Sequence, residues 1–371
     1  MSDYWSEKVR RLAPYVPGEQ PGNRRYGDRQ LIKLNTNENP YPPSPLVIEA
    51  VNRAASESLR LYPDPSSLEL REVIAERYGL KASEVFPGNG SDEVLAFAFP
   101  AFFESGGEPV LFPDITYSFY PVYCDLWNIP YKTVLLEDDF SINTFPYVEA
   151  ISKGNTGGII FSNPNAPTGM LLELEDIRRM AEAAERSKRV LVIDEAYIAF
   201  AEGEDAAALP LLRKFPNMLI VRTLSKESSL AGLRAGFALG SESLIEGLCR
   251  VKDSFNSYPM DRLAQAGAAA AIKDFPYYEN INRRIINTRR RVSSRLKTLG
   301  FRVLPSQANF LFASPPAGKN AADIFTALRD RGILVRHFSK PRIADFLRIS
   351  IGTDGDMDIL LKECSIIINT V

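Results

Sequence analysis

The chain of 371 residues has very few of the side chains on which most nucleophilic and metal-dependent catalysis depends. It contains one histidine, His337, which we expect at the end of a strand, and three distant cysteines, Cys124, Cys249 and Cys364. This set cannot supply a histidine-based zinc site, and no Gly-x-Ser-x-Gly motif accompanies the histidine. The few cysteines indicate a reducing compartment without disulfides. We therefore expect no metal ion, and a cofactor that supplies the reactive group.

An excess of charge of one sign and long apolar segments are also lacking. The 44 basic and 46 acidic residues leave a net charge of −2, which argues against a nucleic-acid partner or a membrane surface. No stretch reaches the roughly 18 apolar residues of a membrane-spanning helix. The first seven residues include acids and lack the apolar centre of a secretory signal. These absences predict a cytoplasmic protein that acts on small molecules.

Short apolar runs alternate with helical patterns through the middle of the chain. Four runs are expected to form strands, at 109–112, 158–161, 190–193 and 218–221. Between two of them, residues 174–188 carry apolar positions at helical spacing. Continuous apolar strands separated by helices indicate a mostly parallel sheet covered on both faces. The predicted fold is therefore α/β and doubly wound, with its ligand site beyond the carboxyl ends of the strands.

The composition changes near both ends of this region. Residues 1–45 are rich in proline, glycine and asparagine and are predicted to form an extended arm, which leaves 46–270 as the large domain. A long charged helix is expected at 278–299, followed by strand-like segments at 301–304, 309–312, 332–335 and 346–350. We therefore predict a smaller α+β domain over 271–371.

The most informative segment is Thr-Leu-Ser-Lys at 223–226, directly after an apolar run. A lysine that forms a Schiff base must lose a proton near neutral pH, which partial burial and nearby positive charge favour. Arg234 follows eight positions after Lys226 in a glycine-rich turn, and together with Ser225 it could bind a phosphate. On this segment alone, a surface lysine in a serine-rich loop is an equally good interpretation.

Asp194 ends the apolar run at 190–193, and Tyr197 lies three residues further on. An acid at the mouth of a buried strand is costly unless it has a cationic or hydrogen-bonding partner. A carboxylate in this place could keep a heterocyclic nitrogen protonated, so that a pyridinium ring can act as an electron sink. The alternative is a simple cap of the next helix.

Residues 87–93, Pro-Gly-Asn-Gly-Ser-Asp-Glu, open an apolar helix. A glycine at Gly90 lets the backbone approach an anion, and the N–H groups near Ser91 and Asp92 then face it at the positive end of the helix. The segment is neither a dinucleotide-binding fingerprint nor a Walker A motif. A plain helix cap is the alternative interpretation.

Two further residues complete a plausible cofactor site. Tyr117 follows a predicted strand and could stack on a flat ring, although such an aromatic also serves as core or surface filler. Arg348 lies inside an apolar strand and requires a carboxylate or phosphate, with an internal salt bridge as the alternative. Together with the lysine, the acid and the phosphate-binding turn, these residues match pyridoxal phosphate and few other cofactors.

On these motifs the chain resembles the fold-type I, pyridoxal-phosphate-dependent aminotransferases of class I/II over nearly its whole length. Asn-Pro-Asn-Ala-Pro-Thr-Gly at 163–169, Asp-Glu-Ala-Tyr at 194–197 and Thr-Leu-Ser-Lys at 223–226 occur in the order of that family. Within it, the segments at 34–40, 61–65 and 346–353 are most similar to histidinol-phosphate aminotransferases. The resemblance implies exchange of an amino group between L-histidinol phosphate and 2-oxoglutarate.

The resemblance also implies a role for each matching position. Lys226, Asp194 and Tyr197 would be catalytic: the lysine would bind the cofactor and move a proton, the acid would pair with the ring nitrogen, and the phenol with the ring hydroxyl. The implied cofactor-binding residues are Gly90, Ser91, Asp92, Tyr117, Asn165, Asp194, Tyr197, Ser225, Lys226, Arg234 and Tyr62, the last reaching the site of a neighbouring subunit in a homodimer. The implied substrate-binding residues are Arg348 for a carboxylate, Arg336 for the substrate phosphate, and Asn37 and Tyr41 in the arm.

One position departs from the family pattern. The family usually has an asparagine directly before Pro-Thr-Gly, where its amide meets the ring hydroxyl, and this chain has Ala166 there. Asn165 or Asn163 is then the candidate for that contact. Three other functions stay open: a broad or aromatic amino-acid aminotransferase, a threonine-phosphate decarboxylase of the same fold, and a binding protein that has lost catalysis.

Overall fold

The computed structural model describes residues 4–16, 18–20, 25–26, 29–203 and 206–370. Its α-helices are Glu7–Arg11, Pro45–Ala54, Leu68–Tyr78, Ser91–Phe102, Tyr120–Trp127, Phe145–Ser152, Leu174–Arg186, Leu224–Glu227, Glu242–Phe255, Arg262–Lys273, Phe275–Thr298, Ala321–Arg329 and Asp354–Thr370. Outside the main sheets, short strands at Arg25–Tyr26 and Arg29–Gln30 pair with each other, and Ile32–Lys33 pairs with Ile333–Leu334. Among the described residues, no helix has the length and apolar character needed to cross a bilayer.

A seven-stranded sheet forms the centre of the larger part of the molecule. Its order is Val85–Gly88, Gly236–Gly240, Met218–Thr223, Val190–Asp194, Gly158–Ser162, Val110–Pro113 and Tyr131–Val134. Six strands are parallel, and Gly236–Gly240 runs antiparallel to both neighbours. The prediction of a mostly parallel sheet is confirmed, and the four predicted strands occur with slightly shifted ends. The sequence analysis does not name the other three strands: Val85–Gly88 and Gly236–Gly240 end in glycine, and Tyr131–Val134 is largely exposed.

The central strands read as continuous apolar runs because both of their faces are buried. In Val190–Asp194, for example, Leu191 and Ile193 pack on one face with helices Leu68–Tyr78, Leu174–Arg186 and Arg262–Lys273. Val192 points to the opposite face, against helices Ser91–Phe102 and Glu242–Phe255. This alternation is what a doubly wound sheet requires. The apolar side chains at the sheet centre are therefore buried between helices, and the polar side chains available for catalysis lie at the strand ends.

A second, four-stranded antiparallel sheet has the order Arg302–Val303, Phe310–Ser314, Leu347–Ser350 and Arg336–His337. Helices Phe275–Thr298, Ala321–Arg329 and Asp354–Thr370 bury their apolar faces against it in a separate core. The first of these helices, predicted at 278–299, begins on the large core at Tyr278 and continues into the small core at Ile285. His337 ends its strand, as the sequence predicts.

The arm ends on the small core. Strand Ile32–Lys33 pairs in parallel with Ile333–Leu334, and the side chain of Leu34 is buried in the small core. The chain then passes over the large sheet, where the Asn39 side-chain amide donates to the backbone oxygen of Lys226 at 3.0 Å. The extended arm also contains a short helix, Glu7–Arg11, which begins because the Ser6 hydroxyl caps the N–H of Val9.

Candidate active site

The carboxyl edge of the large sheet, the small sheet and the arm enclose a cavity of about 370 Å³. Most of the residues singled out from the sequence line it: Asn37, Ser91, Asp92, Tyr117, Asp194, Tyr197, Ser225, Lys226, Arg234, Arg336 and Arg348. Gly90, Tyr41, Asn165 and Tyr62 do not belong to the described lining. The tertiary structure thus brings together residues that lie more than 300 positions apart in the chain.

Strand direction explains why these residues converge. Ser162 and Asp194 are the last residues of neighbouring parallel strands and lie opposite each other in the register. Thr223 ends the next strand, so the helix that carries Lys226 starts at the same edge. Because Gly236–Gly240 runs antiparallel, its beginning lies at this edge too, which places Arg234 beside the other residues. The one reversed strand therefore delivers a cation that a purely parallel sheet would not.

Lys226 lies in the single helical turn Leu224–Glu227, which is held at its start by the Thr223 hydroxyl accepting from the N–H of Ser225 at 3.1 Å. The Lys226 amine donates to the backbone oxygen of Thr36 at 3.0 Å. Burial, and next the positive charge of Arg348, lower the pKa of the lysine to about 8. A much larger fraction of this amine than of an ordinary lysine is therefore neutral, and nucleophilic, near neutral pH.

Asp194 is only 4% exposed and accepts hydrogen bonds from the Tyr120 phenol at 3.1 Å and from the N–H of Ala196 at 3.2 Å. No lysine or arginine of the described chain forms an ion pair with it. Burial raises the pKa of this carboxyl to about 7, although both hydrogen bonds favour the charged form. The site therefore contains a carboxylate that lacks a cation, which a protonated ring nitrogen would supply.

Tyr197 has its ring fixed edge-on against Phe310, with 5.1 Å between the ring centres. The amide nitrogen of Asn37 donates to its hydroxyl at 3.0 Å, and the Ser350 hydroxyl donates to the amide oxygen of Asn37 at 2.9 Å. Burial raises the pKa of the Tyr197 phenol above its ordinary value. The phenol thus stays protonated at the wall of the cavity.

An anion cradle lies at the start of helix Ser91–Phe102. Gly90 has a φ of +89°, and a Cβ added there would lie 2.8 Å from a guanidinium nitrogen of Arg234. A Cβ on Gly236 would lie 2.4 Å from the backbone nitrogen of Ser91. Only glycine permits these close approaches. The Asp92 carboxylate accepts from Arg234 at 3.1 Å and from the Tyr117 hydroxyl at 2.8 Å, so it holds both side chains at the cradle.

Two arginines face the cavity from the small sheet. Arg336 and Arg348 lie directly opposite each other on antiparallel strands, and neither forms an ion pair with a described carboxylate. Arg348 donates to the backbone oxygen of Asn35 at 3.0 Å, while its Nε is buried without a hydrogen-bond partner. Like charges across a strand pair repel, and an unsatisfied buried donor is costly. An anionic ligand between the two arginines would relieve both penalties.

Ala166 lines the cavity at the departure from the family pattern. The amide nitrogen of Asn165 instead donates to the backbone oxygen of Ile115 at 2.9 Å, and its oxygen accepts from Ser162 at 3.0 Å. The Asn163 amide is bound to the backbone of Leu172, accepting at 2.8 Å and donating at 3.3 Å. Both asparagines shape the loop, and neither belongs to the described cavity lining.

Tyr62 and Tyr41 lie apart from the cavity of their own chain. Tyr62 is 78% exposed and stacks on Tyr258 with 4.6 Å between ring centres. Tyr41 packs on the small core, where the guanidinium of Arg284 lies 4.2 Å from its ring centre. The role implied for Tyr62 requires a second chain, and the role implied for Tyr41 requires a change in the arm.

The structure adds lining residues that the sequence analysis does not name, including Tyr15, Thr36 and Ser162. Ser162 has a detectable signal, because it is a polar residue at the end of a buried strand, as Asp194 is. Tyr120, which donates to Asp194 from outside the lining, follows Tyr117 at a spacing of three. Thr36 acts through its backbone oxygen, which leaves no signal in the sequence.

The chain is an α/β protein with its cavity at the carboxyl edge of a mostly parallel sheet. The cations and the helix start in that cavity suit an anionic ligand. A family model described as aminotransferase class I and II matches residues 29–363. The histidinol-phosphate aminotransferase 1 of Bordetella parapertussis is 54% identical over 97% of this chain and 98% of its own length. The histidinol-phosphate aminotransferase of Clostridium acetobutylicum is 52% identical over 98% and 99%. The chain belongs to the class I and II aminotransferase family.

Solved structures agree with this assignment. The histidinol-phosphate aminotransferase of Sinorhizobium meliloti, solved in complex with pyridoxal-5′-phosphate, has a TM-score of 0.88 and 26% identity, covering 100% of this chain and 99% of its own. A Thermus thermophilus aspartate aminotransferase variant, at 20% identity, has a TM-score of 0.81 over 98% of this chain and 99% of its own, which establishes a shared fold. The predicted fold-type I architecture is confirmed.

Proposed function

We propose that the chain is a pyridoxal-phosphate-dependent transaminase that exchanges an amino group between L-histidinol phosphate and 2-oxoglutarate, as a step of histidine biosynthesis. Relatives named for this activity match it over almost their whole length. The observation that carries the proposal is the pair Arg336 and Arg348, opposite each other in the cavity wall. Histidinol phosphate carries a phosphate and 2-oxoglutarate carries two carboxylates, and the planar guanidinium group binds both kinds of anion.

The residues of the cavity fit pyridoxal phosphate. A volume of about 370 Å³ is typical of small-molecule sites. The helix start at Ser91, the close approach permitted by Gly90 and the charge of Arg234 fit a phosphate. Asp194 lacks the cation that a protonated pyridine nitrogen would provide, and Lys226 has the lowered pKa that covalent attachment of an aldehyde requires.

When bound, pyridoxal phosphate supplies a pyridinium ring that accepts the electrons of the bond broken at the amine-bearing carbon. Lys226 would hold the cofactor covalently, and its Nζ, once free, would be the base and acid for the proton at that carbon. Asp194 would pair with the protonated ring nitrogen, and Tyr117 would offer its ring as a surface for the cofactor to pack on.

The remaining residues position the two ligands. Backbone N–H groups near Ser91 and Asp92, the Ser225 hydroxyl and Arg234 hold the cofactor phosphate. Tyr197 donates to the ring hydroxyl oxygen. Asn165 contributes indirectly, because its amide fixes the loop that presents Ala166 to the cavity. Arg348 binds the substrate carboxylate, Arg336 binds the substrate phosphate, and the arm with Asn37 and Tyr41 covers the substrate.

We further propose a cytoplasmic homodimer in which Tyr62 reaches the cofactor phosphate of the neighbouring chain. This proposal is supported by the high exposure of Tyr62 and of two neighbouring side chains, Leu59 and Leu61, which are 56% and 52% exposed. All three cysteines are free, which suits a reducing compartment. The proposed division is an arm at 1–45, a large domain at 46–270 and a small domain at 271–371, since helix Phe275–Thr298 passes between the two cores.

The test compares amine substrates under identical conditions. The purified protein is loaded with pyridoxal phosphate, and formation of glutamate from 2-oxoglutarate is followed with L-histidinol phosphate or with L-phenylalanine. We expect kcat/KM for histidinol phosphate to exceed that for phenylalanine by at least about a hundredfold, because the half-buried Arg336 would be left without its anion by a ligand that lacks the phosphate. Rapid turnover of phenylalanine with inert histidinol phosphate would overturn the substrate assignment. Release of carbon dioxide from threonine phosphate would indicate the decarboxylase.

A further inference from the structure

Asn37 connects three parts of the molecule through hydrogen bonds. Its backbone N–H donates to the Ser350 hydroxyl at 2.8 Å, and its backbone oxygen accepts from the Asn309 amide at 3.0 Å, so the small core holds its main chain. Its side chain reaches Tyr197, three residues beyond the end of a large-sheet strand. Asn37 is 1% exposed and has a φ of +55°, a conformation that asparagine tolerates better than most residues.

Each proton in this chain of bonds has a defined direction. The Ser350 oxygen accepts from the backbone N–H of Asn37, and its own proton goes to the Asn37 amide oxygen, 2.9 Å away. The amide nitrogen then faces Tyr197, whose hydroxyl accepts at 3.0 Å. A phenol that accepts this bond keeps its single proton for another partner. The free direction of that hydroxyl is the cavity that Tyr197 lines.

We propose that Asn37 is a positioning residue that makes Tyr197 a hydrogen-bond donor into the cavity. The proposal rests on the proposed function, because the acceptor would be the hydroxyl oxygen of bound pyridoxal phosphate. The cavity wall at Ala166 carries only a methyl group, which cannot donate to the ring oxygen, so the direction of the Tyr197 proton gains importance. Because Ser350 and Asn309 belong to the small core, the direction of the proton depends on the packing of that core against the arm.

The experiment measures the visible absorbance of the lysine-bound cofactor as a function of pH. A donor to the ring oxygen withdraws electron density and makes the neighbouring nitrogen of the Lys226 linkage less basic. Tyr197→Phe removes the donor and should raise the midpoint of the absorbance change by about one pH unit, the usual scale for a hydrogen bond to a charged group. Asn37→Gly keeps the positive φ without strain and adds no charge, and it should raise the midpoint in the same direction by a smaller amount.

A double-mutant cycle separates positioning from general loosening of the arm. In the Tyr197→Phe background, Asn37→Gly should cause no further shift of the midpoint. Ser350→Ala, which leaves both Asn37 and Tyr197 intact, should raise the midpoint in the wild-type background and not in the Tyr197→Phe background; it serves as the second variant should Asn37→Gly fold poorly. The proposal would be overturned if Asn37→Gly and Ser350→Ala both left the midpoint unchanged, or if their shifts persisted in the Tyr197→Phe background.

The result is independent of the substrate assignment. The titration needs bound cofactor and no substrate, so inert histidinol phosphate would refute the proposed function while the midpoints could still be compared. Conversely, normal turnover of histidinol phosphate with identical midpoints in all variants would refute only the role of Asn37.

Discussion

Two carboxylates that are neighbours in the chain, Asp194 and Glu195, have opposite surroundings. Glu195 accepts from Arg222 at 3.0 and 2.7 Å and from the N–H of Ala208 at 2.6 Å, so each of its oxygens is bound. Asp194 has a phenol and one N–H as partners, and no cation of the described chain pairs with it. Adjacent residues at a strand end point to opposite faces, which is why one is enclosed by the core and the other faces the cavity.

The basic residues show the same contrast. Arg289 donates to the backbone oxygens of Phe200 and Ala308 at 2.7 and 2.8 Å and to Glu202 at 2.6 Å. Lys226 and Arg348, by comparison, each have a single backbone oxygen as acceptor. Charges that the fold satisfies hold its parts together, whereas the incompletely paired charges lie where we propose that a ligand binds.

The largest effect is expected at Lys226. Lys226→Ala removes the amine that we propose binds the cofactor and moves the proton, so turnover should fall by about 10⁴-fold or more, the scale of losing a nucleophile or base. The free energy of unfolding should change by less than about 1 kcal/mol, since one hydrogen bond to a backbone oxygen is lost. Absorbance spectra, glutamate formation and urea unfolding measure these quantities.

Lys252 provides a matched control for that variant. Its amine is buried and bound to the backbone oxygens of Pro65 and Ser257 at 3.1 and 3.3 Å and to Asp253. Lys252→Ala should therefore destabilise the protein and retain the visible absorbance of bound cofactor. If both lysine variants kept that absorbance, Lys226 would not be the attachment site.

The next prediction compares the loss of stability when each of the two adjacent acids is replaced. Glu195→Gln leaves Arg222 buried with a neutral partner, and the free energy of unfolding should fall by about 3–5 kcal/mol, as when one member of a buried pair is removed. Asp194→Asn should cost much less stability, because no cation loses its partner, and should reduce turnover. Urea unfolding of both variants is the measurement. An equal loss of stability at the two positions would remove the distinction between the paired and the unpaired acid.

We expect the arginine pair Arg336 and Arg348 to distinguish the two proposed substrates. Arg348→Met should raise the KM for glutamate by about a hundredfold, the lower range for loss of a charge-assisted contact. Arg336→Met should raise the KM for histidinol phosphate more than that for glutamate, because the phosphate loses its cation. Steady-state kinetics with each substrate in turn measure the effect. The assignment of the two arginines would be wrong if both variants affected both substrates equally.

The last expected effect is a gradual dependence of stability on pH in the cofactor-free protein. The Asp194 carboxyl has a folded pKa of about 7 against an ordinary 3.8, so between these values the folded state binds more protons than the unfolded state. Its contribution to stability is therefore lost as pH rises through this window, by up to about 1.4 kcal/mol per pH unit.

The matched variant for this measurement is Asp194→Asn, which lacks the titrating group. The difference in unfolding free energy between wild type and variant should change across pH 4.5–7.5, and bound pyridoxal phosphate should abolish the change by supplying a cation. Parallel curves for the two cofactor-free proteins would show that Asp194 does not titrate in this range.

Much of the site is predictable because strand ends and motifs are local features. The apolar runs before Asp194 and Lys226 place both residues at one edge of a parallel sheet, and the scarcity of histidine and cysteine points to a cofactor. The antiparallel strand Gly236–Gly240 is not predictable, since its pairing depends on two strands far away in the chain. The local hydrogen bonds of Asn165 are also beyond sequence reasoning, because a buried amide can face a loop or a cavity equally well.

By itself, the amino-acid sequence determined the class of fold and which residues are proposed as catalytic groups, because periodicity and motif order are properties of neighbouring residues. Only the tertiary structure decided which charges remain incompletely paired and which hydroxyl protons face the cavity. Those properties depend on burial and on partners contributed by distant segments, as in the bonds that link Ser350, Asn37 and Tyr197.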